Sequence, residues 1–211
     1  MLTRRLLALY VGLWLYGFSM AMMIRANLGL DPWDVFHQGL NRHLPLSFGM
    51  ITALTGLVVL LAWIPLRQRP GLGTISNVVV IGISVDAALW LLPDVHGWWL
   101  RVATMLASVV LNAIAIVLYI GAGFGPGPRD GLMTGLVART GGSIRLVRTV
   151  IEVTVLVTGW LLGGSVGPGT VVYALGIGPL VQVLVPSVSR WLPGFAVVRE
   201  REQLGKAGAE V

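Results

Sequence analysis

Six stretches of about twenty residues with few or no charges fill most of this 211-residue chain, and the connections between them are too short to hold a soluble domain. They run roughly over 6–26, 47–66, 74–92, 98–121, 146–163 and 170–189. A bilayer core is about 30 Å thick and is crossed by about twenty apolar residues in an α-helix. Backbone groups must be satisfied internally there, so helices are the natural solution. The expected fold is therefore all-α, a polytopic transmembrane bundle of about six spans. Composition agrees: 55% of residues are hydrophobic and 11% charged, where a soluble domain carries about a quarter charged. Only the stretch from Gly194, residues 194–211, reads as a polar tail.

The first run follows Arg4 and Arg5 and could be mistaken for a secretion signal. It is longer than a typical signal core and has a counterpart later in the chain, so it is read as a retained span. In a six-span arrangement twelve of the fifteen Lys and Arg residues fall on one side, and only Arg25, Arg42 and Arg101 on the other. The positive-inside rule then predicts both termini in the cytoplasm. The net charge of +6 is accounted for in this way and does not call for nucleic acid.

An internal repeat runs at an offset of 96 residues. Gly29, Pro32, Asp34, Gly39 and Leu40 match Gly125, Pro128, Asp130, Gly135 and Leu136. At the same offset Ser47 matches Ser143, and Gly71, Gly73, Thr74 and Gly82 match Gly167, Gly169, Thr170 and Gly178. Each unit reads as a span, a Gly/Pro motif with a short Pro-started helix, a span, Gly-x-Gly-Thr, and a span. The units are expected over 1–96 and 97–193. Three is an odd number, so consecutive units enter the membrane upside down relative to each other. The first motif is then expected on the outer face and the second on the cytoplasmic face. Inverted repeats are the recurring plan of secondary transporters.

Several polar residues carry both a structural and a functional reading. Pro32 and Pro128 suit the first helical position, which puts Asp34 and Asp130 in the first turn, where a carboxylate complements the helix dipole. They are either caps or parts of gates that bind a cation or proton, or that lock through Arg129 or another Arg. Arg145, Arg148 and Glu152 share one face of the fifth span. Glu152 either pairs with Arg148 or serves the transported species, since intramembrane charges usually face the bundle and pair. Asp86 lies within the third span, opposite Gln182 in the repeat. It is either a proton carrier or hydrogen-bonded to a neighbouring helix. Trp33, Trp98 and Trp99 read as interfacial anchors.

Other chemistries lack support. The chain has no Cys, which removes disulfides, thiolate metal sites and Cys nucleophiles. Gly-x-Gly-Thr lacks the Lys of a phosphate loop. His37, His43 and His96 are expected on the outer side and have no metal-ligand spacing. No cofactor, metal or enzymatic activity is expected.

Gly29-Leu-Asp-Pro-Trp-Asp, Gly125-Pro-Gly-Pro-Arg-Asp-Gly-Leu-Met133, Val166-Gly-Pro-Gly-Thr170 and Ile177-Gly-Pro-Leu-Val-Gln182 together resemble the YczE/YyaS/YitT-type bacterial membrane proteins. The resemblance extends from about Arg5 to Leu192. It implies the bacterial cytoplasmic (inner) membrane and adds weight to efflux, because some relatives are regarded as exporters of antibiotic-like compounds. Relatives are often described as five-span proteins.

The expected function is a small proton- or ion-coupled secondary transporter of an organic solute, working by alternating access. Asp34, Asp86, Arg129, Asp130, Arg148, Glu152 and Gln182 are the pathway candidates. Gly29, Pro32, Gly39, Gly73, Thr74, Gly125, Pro128, Gly135, Gly169 and Thr170 are structural. A homodimer is the expected assembly in the lipid bilayer. The rival expectation is a membrane scaffold that supports a partner complex.

Overall fold

The computed structural model describes residues 2–189 and Leu192. The expected tail 194–211 lies outside the described residues, as do Arg190, Arg199, Arg201 and Lys206 of the charge assignment. The described chain forms eight helices: α1 (Leu2–Ala26), α2 (Pro32–Asn41), α3 (Phe48–Leu66), α4 (Leu72–Leu91), α5 (Trp98–Gly121), α6 (Pro128–Thr140), α7 (Ile144–Leu161) and α8 (Pro168–Ser189). The six long helices match the expected spans to within a few residues at their ends. The two short ones are the expected Pro-started helices.

Five helices, α1, α3, α4, α5 and α8, are long and apolar enough to cross a membrane. The sixth, α7, has 18 residues but carries Arg145, Arg148 and Glu152, and buries only Gly159. Its charges, not its length, set it apart from the other five.

Local chemistry explains the helix starts. Asp31 precedes Pro32 and accepts a bond from the Asp34 N–H, forming the N-cap of α2. Ser47 and Ser143 cap α3 and α7 in the same way, accepting from Met50 N and Leu146 N. Side-chain acceptors at this position satisfy N–H groups that have no partner inside the helix. At the starts of α4 and α8, Thr74 Oγ1 accepts from Gly71 N at 3.1 Å and Thr170 Oγ1 from Gly167 N at 3.2 Å.

The centre of the bundle is the pair α1 and α5, which run antiparallel. Arg5 near the start of α1 reaches the end of α5, donating from Nε to Ala122 O at 2.8 Å and from Nη2 to Gly123 O at 3.0 Å. Midway, Asn112 Nδ2 donates to Ser19 Oγ at 2.8 Å. At the other end Arg101 donates from Nε to Ala26 O at 2.8 Å and from Nη2 to Asn27 O. Arg5 and Arg101 are themselves 96 residues apart, and so are the carbonyls they serve. The backbones approach closely: a Cβ on Gly12 would lie 2.8 Å from Tyr119 N. Small residues are what allow such approach between membrane helices.

Around this pair, α4 packs on α1, α8 on α5, α2 on α7 and α6 on α3. Leu54, Leu57, Val58 and Leu61 of α3 and Ile75, Val79 and Ile83 of α4 are exposed, giving the bundle an apolar exterior suited to lipid.

Arg5→Gln and Arg101→Gln should each lower the thermal midpoint of the detergent-solubilised protein, because a charge-assisted hydrogen bond contributes about 1.5–3 kcal/mol. Arg5→Gln should be the more damaging, since Arg5 also stacks 4.7 Å above the Phe124 ring. Midpoints unchanged in both variants would contradict this account of the α1–α5 pair.

Candidate functional site: a central charged cavity

After α1 the chain turns back into the bundle instead of leaving it. Gly29 takes a φ of 104°, which favours glycine. A Cβ there would also sit 2.5 Å from Gly167 N. The turn places Asp31 and Trp33 in the lining of the same cavity as Tyr16, which lies in the middle of α1. Residues 122–127 make the corresponding turn after α5, with Gly125 at a φ of 115°. The two Pro-started helices therefore meet at one cavity, where the sequence placed their motifs on opposite faces. The reason is the inward turn: each motif begins deep in the bundle.

The meeting point is Arg129. Its guanidinium lies 4.7 Å over the ring of Trp33, 4.0 Å from Asp31 Oδ1 and 3.9 Å from Asp34 Oδ1. Trp33 is buried beneath it, a correction to its expected place at the interface. Trp98 and Trp99 are exposed at the start of α5. His37 is 1% exposed, with Nδ1 3.1 Å from Asp34 Oδ1. Asp31, not Asp34, is the cap of α2, and this frees Asp34 to face Arg129 and His37.

Asp31, Asp34 and His37 lie outside the five spanning helices. Burial raises both carboxyls to about 6. For Asp31 the negative charge of Asp34 adds to this, and Arg129 opposes it for both. Burial, reinforced by Arg129, pushes His37 down to about 3, so its ring is neutral.

The cavity has a volume of about 380 Å³. Asp130 lines it and accepts from the Tyr119 hydroxyl at 2.8 Å. Arg148 and Glu152 enter from α7, joined by an Nε–Oε1 bond of 2.8 Å. Gln182 and Tyr173 enter from α8, and the Tyr173 hydroxyl donates to Asn112 Oδ1 at 3.0 Å. Asp86 is the pathway candidate set apart. It is half-buried between α3 and α4, accepting from Ser47 Oγ and from Gly49 N, the latter at 2.8 Å. It fastens the start of α3 to α4 and does not line the cavity.

Asp31, Trp33, His37, Tyr16, Tyr119 and Tyr173 were absent from the sequence candidates. Asp31 was detectable, because the residue before a Pro at the first helical position is the N-cap. Tyr16 and Asn112, and likewise Trp33 and Arg129, are 96 apart, a signal the chemically unlike residues concealed.

The two sides of the cavity differ. Helices α3 and α4 are tightly packed: a Cβ on Gly49 would fall 2.0 Å from Gly82 O. Gly178, 96 residues after Gly82, would meet nothing within 4 Å. The cavity is lined by Thr52, Gly56 and Val78 of α3 and α4, and between α7 and α8 by Ile151 and Glu152 on one side and Gly178, Val181 and Gln182 on the other. Among the described residues no group of His, Asp and Glu is arranged to hold a metal.

Comparison with known proteins locates the chain without assigning an activity. A family model described as a family of unknown function, DUF6198, matches residues 3–186. An uncharacterized protein of Haemophilus influenzae is 35% identical over 174 residues, covering 82% of this chain and 80% of the relative. The uncharacterized membrane protein YczE of Bacillus subtilis is 32% identical over 192 residues, covering 90% and 89%. Protein YyaS of the same organism is 25% identical over 188 residues, covering 85% and 92%. No solved structure matches. With its bundle of apolar helices and a match over nearly all its described length, the chain is a membrane protein of the DUF6198 family.

Proposed function

We infer that the protein is a small secondary transporter in which two inverted three-helix units alternately expose the central cavity. The observation that carries this is the unequal closure of the cavity, shut where α3 meets α4 and open between α7 and α8. A static scaffold has no need of a charged cavity closed by one helix pair and opened by its counterpart. With both termini in the cytoplasm, as the basic residues predict, the open side faces inward. In the opposite state α7 and α8 close and α3 and α4 part, which requires release of Asp86 from Ser47 and Gly49. Rocking of repeats around a central site is the established way such plans move solutes.

Asp31 and Asp34 are suited to carry the coupling proton. They sit at the junction of the two motifs, and their raised values mean that both are largely protonated near pH 5 and both ionised at pH 8. Both are raised in the folded state, so their stabilising contribution is present below the usual carboxyl value near 4 and lost as pH rises through about 6.

The thermal midpoint of the purified protein should fall between pH 5 and pH 7, and this fall should shrink in Asp31→Asn. A pH-independent midpoint would contradict the assignment. For the motion, the absence of native Cys makes disulfide trapping unambiguous. In Gly56→Cys/Val78→Cys the two Cβ positions lie 3.7 Å apart, within disulfide reach. That bridge should form readily and leave a third cysteine at Val181 reactive to an impermeant maleimide. A Glu152→Cys/Ala174→Cys bridge, at the repeat-related positions, should instead protect Val181→Cys and expose Val85→Cys. If the second bridge never forms, the protein does not alternate, and a scaffold role is favoured.

A further inference from the structure

The charges around the cavity do not balance. Three carboxylates, Asp31, Asp130 and Glu152, line it with two guanidiniums, Arg129 and Arg148, and a fourth carboxylate, Asp34, lies 3.9 Å from Arg129. Arg129 is placed between Asp31 and Asp34, and Arg148 is bonded to Glu152. Arg129 is shared by two carboxylates, and Asp130 has no basic partner at all: among the described residues no Lys, Arg or His lies within 4 Å of it, and its hydrogen-bond partner is the Tyr119 hydroxyl.

The surroundings of Asp130 are shaped for a ligand. Gly127 lacks a side chain where Asp130 Oδ2, Tyr119 Oη and Asn77 Nδ2 converge, each 3.3–3.4 Å from the point a Cβ would occupy. Tyr16 stands edge-on to Tyr119 at 6.2 Å, and Tyr173 lines the same space. Aromatic faces attract cations, more so where water is excluded. The N-termini of α2 and α6 would otherwise favour an anion, but Asp34 and Asp130 already occupy those first turns. The volume, about 380 Å³, lies at the small end for ligand pockets.

We propose that the cavity binds a small organic ammonium ion, its charge against Asp130 and its apolar part among Tyr16, Tyr119 and Tyr173. This deepens the transport reading, since it names the class of solute carried. It also fits proton exchange, because protons bound at Asp31 and Asp34 make the cavity less negative and so disfavour a cation at Asp130.

The test is equilibrium dialysis of the purified full-length protein in detergent against benzyltrimethylammonium, with benzoate as an anion of similar size. Saturable retention of the cation and not of benzoate is expected. Asp130→Asn should weaken it by at least about tenfold, the equivalent of about 1.4 kcal/mol. Asp130→Glu, which keeps the charge, should restore most of it. Asp94→Asn, which lies outside the cavity and pairs with Arg25, should leave it unchanged. Retention of benzoate in place of the cation, retention of neither, or full cation binding by a folded Asp130→Asn variant would overturn the proposal. Because dialysis needs no helix motion, a protein that binds the cation but never alternates would end the transport reading and keep the site.

Discussion

Lipid cannot hydrogen-bond a broken backbone, and that constraint shapes this bundle more than any other. The chain breaks helical structure inside the protein twice, at 27–31 and at 122–127, and each break is completed by the other half. Gly169 N donates to Leu28 O and Gly73 N to Phe124 O, both at 2.8 Å. Arg101 serves the carbonyls of Ala26 and Asn27, while Arg5 serves those of Ala122 and Gly123. Thr74 Oγ1 donates to Pro126 O at 2.7 Å. Each turn adds these cross-half bonds to local ones such as Asn27 N to Ile24 O and Gly123 N to Ile120 O, so the packing of the halves supports the inward-pointing helices α2 and α6.

What those turns achieve is electrostatic. They bring two helix N-termini, three Asp residues and Arg129 to the centre of an apolar bundle, where charge is costly unless paired. Arg129 is held by the Trp33 face and two carboxylates, at distances that leave room for rearrangement. A further tight contact lies beside the cavity, where Gly49 and Gly82 bring α3 against α4 and Asp86 secures the join. A closed seam on one side and an open one on the other is the arrangement that the proposed repeat would exchange.

Much of this was legible in the residues. Apolar runs located the long helices, and Pro32 and Pro128 marked the starts of the short ones. Ser47 and Ser143, matched at offset 96, are the caps of α3 and α7. What was hidden depends on contacts between distant segments. Trp33 looks like an interfacial residue until the inward turn buries it under Arg129. Asp86 has no partner within its own helix and finds one on α3. Arg5 and Arg101 look like ordinary flanking charges, and only the antiparallel approach of α1 and α5 reveals them as backbone caps.

The most direct test is a pair of spin-label distances measured by pulsed electron resonance in a chain free of native cysteine. Labels at Leu54 and Val79 report on α3–α4, and labels at the repeat-related Val150 and Leu175 report on α7–α8; all four side chains are exposed. The account predicts two populations for each pair, with the short distance in one accompanied by the long distance in the other as pH or ligand is varied. A single fixed distribution for both pairs under every condition would contradict it.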